Sequence, residues 1–195
     1  ESNNERLLQL INEILDLSKI ESGIVEFTIT PVRLHPLCKE IHDAHIFRCP
    51  KGVELIYEPS DENIVIDGDK NRIFQVISNL IGNAFKFTTA GHISYGYHQE
   101  GKYVAFHVTD TGMGIAPDKV DRVFERFVKV NNFAQGTGLG LSICKTIIER
   151  LGGNISVTSE VGKGTTFTFV LPLEAARKTE AEKKEENTRE ATAEA

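Results

Sequence analysis

The stretch from Asp69 to Thr88, DKNRIFQVISNLIGNAFKFT, constrains this chain more than any other. No proline interrupts it, and its one interior glycine, Gly82, costs about 1 kcal/mol against alanine. Asp67 or Asp69 can cap its start and Gly91 lies just past its end, so the sequence predicts one long helix. Ile73, Val76, Ile77, Leu80, Ala84 and Phe87 recur at three- and four-residue steps, a face that packs on a sheet. A second face carries Gln75, Asn79, Asn83 and Lys86. A solvated helix normally displays Glu and Lys there. Amides with one ammonium suit a metal-bound anion, because a neutral Asn oxygen completes a Mg²⁺ shell without adding charge beside phosphates. A merely solvated face, or one capping a loop, uses the same residues, and the helix alone leaves both readings open.

The rest of the composition narrows the field. A length of 195 residues with 40% apolar content suits one compact domain with an appendage. No apolar run approaches roughly 18 residues and no signal-peptide pattern is present, so a cytoplasmic chain without membrane contact is expected. Cys38, Cys49 and Cys144 are widely spaced with no CxxC, which reads as free thiols in a reducing compartment. A net charge of −6 argues against a nucleic-acid partner, so any polyanionic ligand must be held by local donors.

Residues 1–22 are strongly helical, with Leu7, Leu10, Ile14 and Leu17 in a stripe and Leu8, Ile11 and Leu15 beside it. That width fits a helix in a bundle, so a second chain or a further N-terminal piece is expected to cover it. Folding back on its own domain is the alternative. Gly23 ends this helix, and residues 25–30, VEFTIT, alternate as a strand up to Pro31. A weakly patterned helix follows over 36–48, then strands over 53–59 and 63–67. Beyond the central helix, 92–99 and 103–110 form a hairpin about Glu100-Gly101. Pro117 opens a short helix through Phe124, and Gly138 to Leu151 makes another. A second hairpin, NISVTSE and TTFTFVLPL, closes around Gly162 and Gly164, and residues 174–195 form a charged tail, disordered or a fraying helix. The expected fold class is α+β: a two-layer sandwich of mixed sheet and helices, preceded by a long helix.

Two glycine-rich segments carry the remaining chemistry. Asp110-Thr-Gly-Met-Gly-Ile ends a buried strand, where a carboxylate followed by glycines can accept from an exocyclic amine while the backbone passes a flat ring. An ordinary Asx turn fits the same residues. Gly136-Thr-Gly-Leu-Gly-Leu141 leads into a helix, so its N–H groups can converge on phosphate oxygens. It is neither a Walker motif nor GxGxxG, since Ile143 stands where the third glycine would be.

The ordered set of Asn-bearing helix, DTGMGI, VFERF (123–127), GTGLGL and the closing VGKGTTFTFVLPL resembles the catalytic, ATP-binding domain of two-component sensor histidine kinases. These belong to the wider superfamily with gyrase and Hsp90, and the resemblance runs from about residue 3 to 173. It implies a Bergerat-type ATP-binding fold, with ATP and Mg²⁺ as cofactors. By position, Asn83 is the implied Mg²⁺ ligand, with Asn79 and Lys86 approaching the phosphates and Phe87 near the nucleoside. Asp110 is similar to the adenine-reading carboxylate, with Gly112 and Gly114 lining the ring and Thr166 near it. Phe124 and Phe127 match the aromatic box before a mobile lid, and Gly136, Thr137, Gly138, Leu139, Gly140 and Leu141 close on the triphosphate. The first 22 residues look like the second helix of the dimerisation hairpin, which implies residues 23–173 as the catalytic domain, a homodimer through that hairpin, and a response-regulator receiver domain as partner.

The family's acceptor histidine sits on the first dimerisation helix. His35, His42, His45, His92, His98 and His107 all fall on other segments, so no catalytic histidine is expected in this chain and autophosphorylation is not expected from it alone. A gyrase- or Hsp90-like hydrolytic clamp is the first rival; it needs a general base near the Asn helix, where Gln75 is a poor one. A non-catalytic nucleotide-binding module is the second.

Overall fold

The computed structural model describes residues 3–24, 26–60, 64–128 and 137–174. In chain order the elements are α1 (Asn3–Glu21), β1 (Thr30–Arg33), α2 (Leu34–Ile46), β2 (Val53–Glu58), β3 (Val65–Gly68), α3 (Lys70–Phe87), β4 (Gly91–Glu100), β5 (Tyr103–Asp110), α4 (Pro117–Val120), α5 (Gly140–Arg150), β6 (Asn154–Glu160) and β7 (Gly164–Pro172). Five strands form one mixed sheet in the order β2-β4-β5-β7-β6, in which only β2 and β4 run parallel. Strands β1 and β3 make a separate antiparallel pair.

Period-two alternation divides the large sheet into two unlike faces. Val104, Phe106 and Val108 of β5 and Phe167, Phe169 and Leu171 of β7 are buried beneath the helices. Phe106 and Phe169 stack there with centroids 4.5 Å apart. The intervening residues, His107, Thr109, Thr166 and Thr168, are only half-buried on the opposite side. His107 meets Glu58 at 2.9 Å and Thr109 meets Thr166 at 3.0 Å. Among the described residues helices therefore cover one face alone, giving the expected two-layer α+β sandwich. From α3, Ile73, Val76, Ile77, Leu80, Ile81 and Ala84 are buried. Leu37 and Ile41 of α2 and Ile143, Ile147 and Ile148 of α5 join them in one apolar core.

The start of α3 is set by Asp69, whose Oδ1 accepts from the Arg72 N–H at 3.0 Å. Its Oδ2 accepts from the Thr28 N–H at 2.9 Å, so the same carboxylate also holds the linker after α1. That linker corrects one expectation, the strand over 25–30: of its described residues, 26–30, only Thr30 is in a strand, and β1 instead runs on through Pro31. The guanidiniums of Arg72 and Arg150 both lie over the Phe27 ring, 5.7 Å and 5.0 Å from its centroid. Those contacts draw residues 26–29 onto the helices, and Pro31 is tolerated because β1 belongs to a two-stranded ladder.

The apolar stripe of α1 is corrected as well. Leu17, expected to await a partner outside the domain, is buried with Ile20 in the domain's own core, and Leu10 packs partly against it. The chain reverses at Gly23, where φ is 72°, and lays the last turns of α1 over α3 and α5. Gln75 donates to Asp16 at 3.3 Å, Arg150 to the Ile20 carbonyl, Arg126 to Glu21, and the Thr137 hydroxyl to Glu13. Leu7, Leu8, Ile11, Ile14 and Leu15 stay exposed, at 42–61%. Among the described residues no helix is long and apolar enough to cross a membrane. Of the charged segment expected over 174–195, all but Glu174 lies outside the described residues.

Candidate functional site

Where β5 ends, the inner face of the sheet turns from apolar to polar. Asp110 opposes Thr165 on β7, and Thr165 opposes Ser159 on β6, so three polar side chains stand in a row at the sheet's end. The next row inward, Val108, Phe167 and Val157, is apolar. Burial pushes the Asp110 carboxyl above the ordinary 3.8, and the N–H groups of Gly112 and Thr165 draw it partly back. Gly112 donates to its Oδ1 at 2.8 Å, the Asx turn anticipated for Asp-x-Gly. A carboxylate offers about four lone-pair directions, so acceptor capacity remains for a ligand.

The following loop is wedged between two elements, which explains its glycines. A Cβ on Gly112 would sit 2.8 Å from the Asp110 carboxylate and collide with the Phe87 carbonyl. Gly114 has φ 71° and faces the Glu160 backbone at a distance no side chain tolerates. Met113 donates to the Phe87 carbonyl at 3.2 Å, and Gly162 donates to the Met113 carbonyl at 2.9 Å. The end of α3, the DTGMG loop and the β6–β7 turn are thereby pinned to one another, with Phe87 half-buried at the junction.

Helix α3 packs against α5, and Asn79 of its amide face reaches that helix. Cys144 of α5 is buried, its thiol pushed up to about 12 by desolvation, with a bond to the Asn79 side chain opposing the shift. Its sulfur also approaches the Val76 carbonyl at 3.8 Å. Arg72 in the first turn of α3 and Arg150 at the end of α5 lie over the same Phe27 ring. The two helices therefore run antiparallel, which brings the first turn of α5, Gly140 and Leu141, toward the level of Asn79 and Asn83. No side chain caps α5, since Leu139 stands at its N-cap, so its first N–H groups and their partial positive charge are available to an anion. Asn83 is half-buried and Lys86 exposed. Gln75 instead bridges Arg72 at 2.9 Å and Asp16, and is committed to α1.

Phe124 and Phe127 differ in kind. Phe124 meets Phe167 edge-on at 6.1 Å and belongs to the core. Phe127 is 59% exposed and has φ 62°, the one non-glycine residue with positive φ among those described. Its N–H donates to the Gly138 carbonyl at 3.0 Å, so the segment between them leaves and returns at one neck. Gly136 and, apart from Val128, the expected lid over 128–135 lie outside the described residues. Thr137 accepts from the Leu139 N–H at 3.3 Å and donates to Glu13.

One expected site residue falls elsewhere. Thr166 lies on the outer face of the sheet, its hydroxyl bonded to Thr109, because alternation turns it away from Asp110. Thr165 occupies the inner position in its place. Ser159 was not anticipated either; the registers of the two ladders set it in one row with Thr165 and Asp110. Five of the six histidines make local side-chain bonds: His35 to Tyr57, His42 to the Leu55 carbonyl, His45 to the Ile41 carbonyl, His98 to Glu100 and His107 to Glu58, while His92 is exposed and its backbone N–H donates to Thr111. Among the described residues no group of three or more His, Cys, Asp or Glu converges on a metal position. The amides of Asn79 and Asn83, on the helix that packs against α5, suit a cation that brings its own anionic ligand.

Known proteins are similar to this chain in sequence and fold. The sequence signature described as histidine kinase-, DNA gyrase B-, and HSP90-like ATPase matches residues 68–175. Sensor histidine kinase RcsC of Escherichia coli (strain K12) is 41% identical over 181 residues, spanning 88% of this chain and 19% of its own length. The chain thus spans about a fifth of that curated relative. The full-length structure of ShkA in complex with AMPPNP superposes with a TM-score of 0.80 at 34% identity, covering 87% of this chain and 36% of that one. Histidine kinase ThkA in complex with the response regulator TrrA gives 0.73 at 28% identity, covering 89% and 49%.

Proposed function

Because this chain belongs to the histidine kinase-, DNA gyrase B- and HSP90-like ATPases, and among them to the ATP-binding catalytic domains of sensor histidine kinases, we propose that it positions Mg-ATP for transfer of the γ-phosphoryl group to a histidine outside this chain. The observation that carries the reading is the pairing of two half-sites. A polar row with buried Asp110 and Thr165 ends the sheet, and α5, whose N-terminus has no side-chain cap among the described residues, packs against the amide-bearing α3.

In this reading the Asp110 carboxylate accepts from the adenine amine, and the Gly112–Gly114 backbone lets the ring approach. Phe87 closes the nucleoside side. Asn83 offers its amide oxygen to Mg²⁺, which supplies neutralising charge at the phosphates. Asn79 and Lys86 donate to phosphate oxygens, and the first turn of α5 with the Gly136–Leu141 segment receives the triphosphate's terminal charge. Phe124 anchors the stem of the covering segment while Phe127, held at the neck, moves with it. The chain's share of the chemistry is placement and charge stabilisation, which is most of what phosphoryl transfer requires.

Residues 1–22 then form the second helix of a dimerisation hairpin, residues 23–173 the catalytic domain, and 174–195 a charged extension. ThkA is solved with a response regulator, and a receiver domain is the proposed downstream partner here too. Calorimetric titration with ADP and ATP, with and without Mg²⁺, tests the reading. Binding of both, tightened by Mg²⁺, is expected; failure to bind any adenine nucleotide overturns it.

A further inference from the structure

Ser159 stands at the far end of the polar row and touches three groups, more than a surface strand residue needs. Its Oγ lies 2.8 Å from the Ile115 N–H, 2.9 Å from the Gly164 carbonyl and 2.9 Å from the Thr165 hydroxyl. A serine hydroxyl has one proton to give and two lone pairs to offer. The Ile115 N–H can only donate and the Gly164 carbonyl can only accept. One proton arrangement satisfies all three contacts: Ser159 gives its proton to Gly164 and accepts from both Ile115 and Thr165. The Thr165 hydroxyl proton is therefore turned toward Ser159, away from Asp110. Thr165 also donates its backbone N–H to the Asp110 carboxylate, which ties the row together.

The consequence is a floor made only of acceptors, the Asp110 carboxylate and the Thr165 oxygen side by side. We propose that Ser159 is a positioning residue for base selection, holding the Thr165 hydroxyl so that the floor accepts a 6-amino purine and repels a 6-oxo purine. The amine brings N–H donors to two acceptors. A keto oxygen in the same place meets lone pairs, and leaving buried acceptors unpaired is what makes such a site selective. Freed from Ser159, the Thr165 hydroxyl rotates and donates, and the keto group becomes tolerable. This inference rests on the reading of Asp110 as the base's partner, and adds how that site discriminates.

The experiment is calorimetry of the full chain with ADP and with inosine diphosphate, both with Mg²⁺. The parent chain is expected to prefer ADP. Ser159→Ala is expected to narrow the ADP-to-inosine-diphosphate affinity ratio by about fivefold, the worth of one neutral hydrogen bond. Ser159→Thr, which keeps the hydroxyl, should keep the ratio. In a Thr165→Val background Ser159→Ala should leave the ratio where Thr165→Val alone put it. Should Ser159→Ala fail to fold, Thr165→Val must narrow the ratio and Thr165→Ser must keep it. Equal weakening of both nucleotides by Ser159→Ala, with the ratio preserved, means the serine only braces the loops and overturns the proposal. A parent chain that binds neither nucleotide overturns the nucleotide reading itself, a different result from a preserved ratio.

Discussion

Asn83 and Asp110 mark the two ends of the proposed ligand, and each carries a separable expectation. Replacing Asn83 by Ala should weaken nucleotide binding by roughly tenfold when Mg²⁺ is present, the scale of a bond to a charged partner, and little when it is absent. Titrations with and without the metal measure the difference; unchanged Mg-ATP affinity would show that Asn83 is not the ligand. Asp110 predicts a pH dependence. Its carboxyl is raised above the ordinary 3.8 chiefly by burial, so it takes up a proton earlier on acidification than an exposed aspartate. The folded state then binds that proton more tightly than the unfolded chain, so this group favours folding below 3.8 and loses that contribution as pH rises through its raised value. Protonation nevertheless turns one acceptor oxygen into a donor and removes the charge that attracts the amine. ADP affinity should thus fall on mild acidification while circular dichroism still reports a folded chain. An affinity that stays flat down to the ordinary carboxylate range would contradict that role.

At the scale of elements, α3 is the member on which the rest depend. Its apolar face was legible from spacing alone, and five of the six predicted positions, Ile73, Val76, Ile77, Leu80 and Ala84, are buried, with Phe87 half-buried. Its N-cap does double duty, since Asp69 serves both the Arg72 N–H and the Thr28 N–H. Asp69→Ala should cost about 1–2 kcal/mol in urea unfolding, the usual loss of a cap, and should also release the linker. Faster hydrogen exchange at Thr28, beyond that at Arg72, is the readout. The adjoining strand was predicted too early, at 25–30, because alternation sees VEFTIT but not the two guanidiniums that claim Phe27. No local pattern in the sequence reports that competition.

For the whole molecule, the helix α1 divides into a half that belongs to the domain and a half that does not. Leu17 is 5% exposed and Ile14 42%, although both sit on the same predicted stripe. Leu17→Glu should destabilise the domain by several kcal/mol, because a charge would enter the core without a partner. Ile14→Glu should leave denaturant stability unchanged and lower self-association in sedimentation. Equal stability losses from both would mean the whole helix packs inward. Turnover is expected to need more than this chain. Transfer requires an imidazole held in line with the γ-phosphorus, and all six histidines are bonded or placed on strands and on α2, away from α5. Incubation with γ-labelled ATP should leave the chain unlabelled until a hairpin carrying an acceptor histidine is added. Acid-labile label on the chain alone, lost on changing His42 or His45, would make it a self-sufficient kinase.

Element identity, the two-layer class and the order of the glycine segments follow from the sequence, because periods of 2 and 3.6 are local properties of a chain. The inward direction of Asp110 follows too, from counting along β5. That Thr165 rather than Thr166 stands beside it does not, because register between β5 and β7 joins residues 55 apart (110 and 165) and is settled by how the whole inner face packs. A slip of one residue would put Thr166 on that face and Phe167 and Phe169 into solvent. The covering of α1 was likewise open: a wide apolar stripe needs something over it, but only the reversal at Gly23 and the Phe27 clamp decide that the domain itself covers the last turns. Burial is a property of the neighbours a residue finds, and the neighbours of Leu17, Thr165 and Ser159 come from far along the chain.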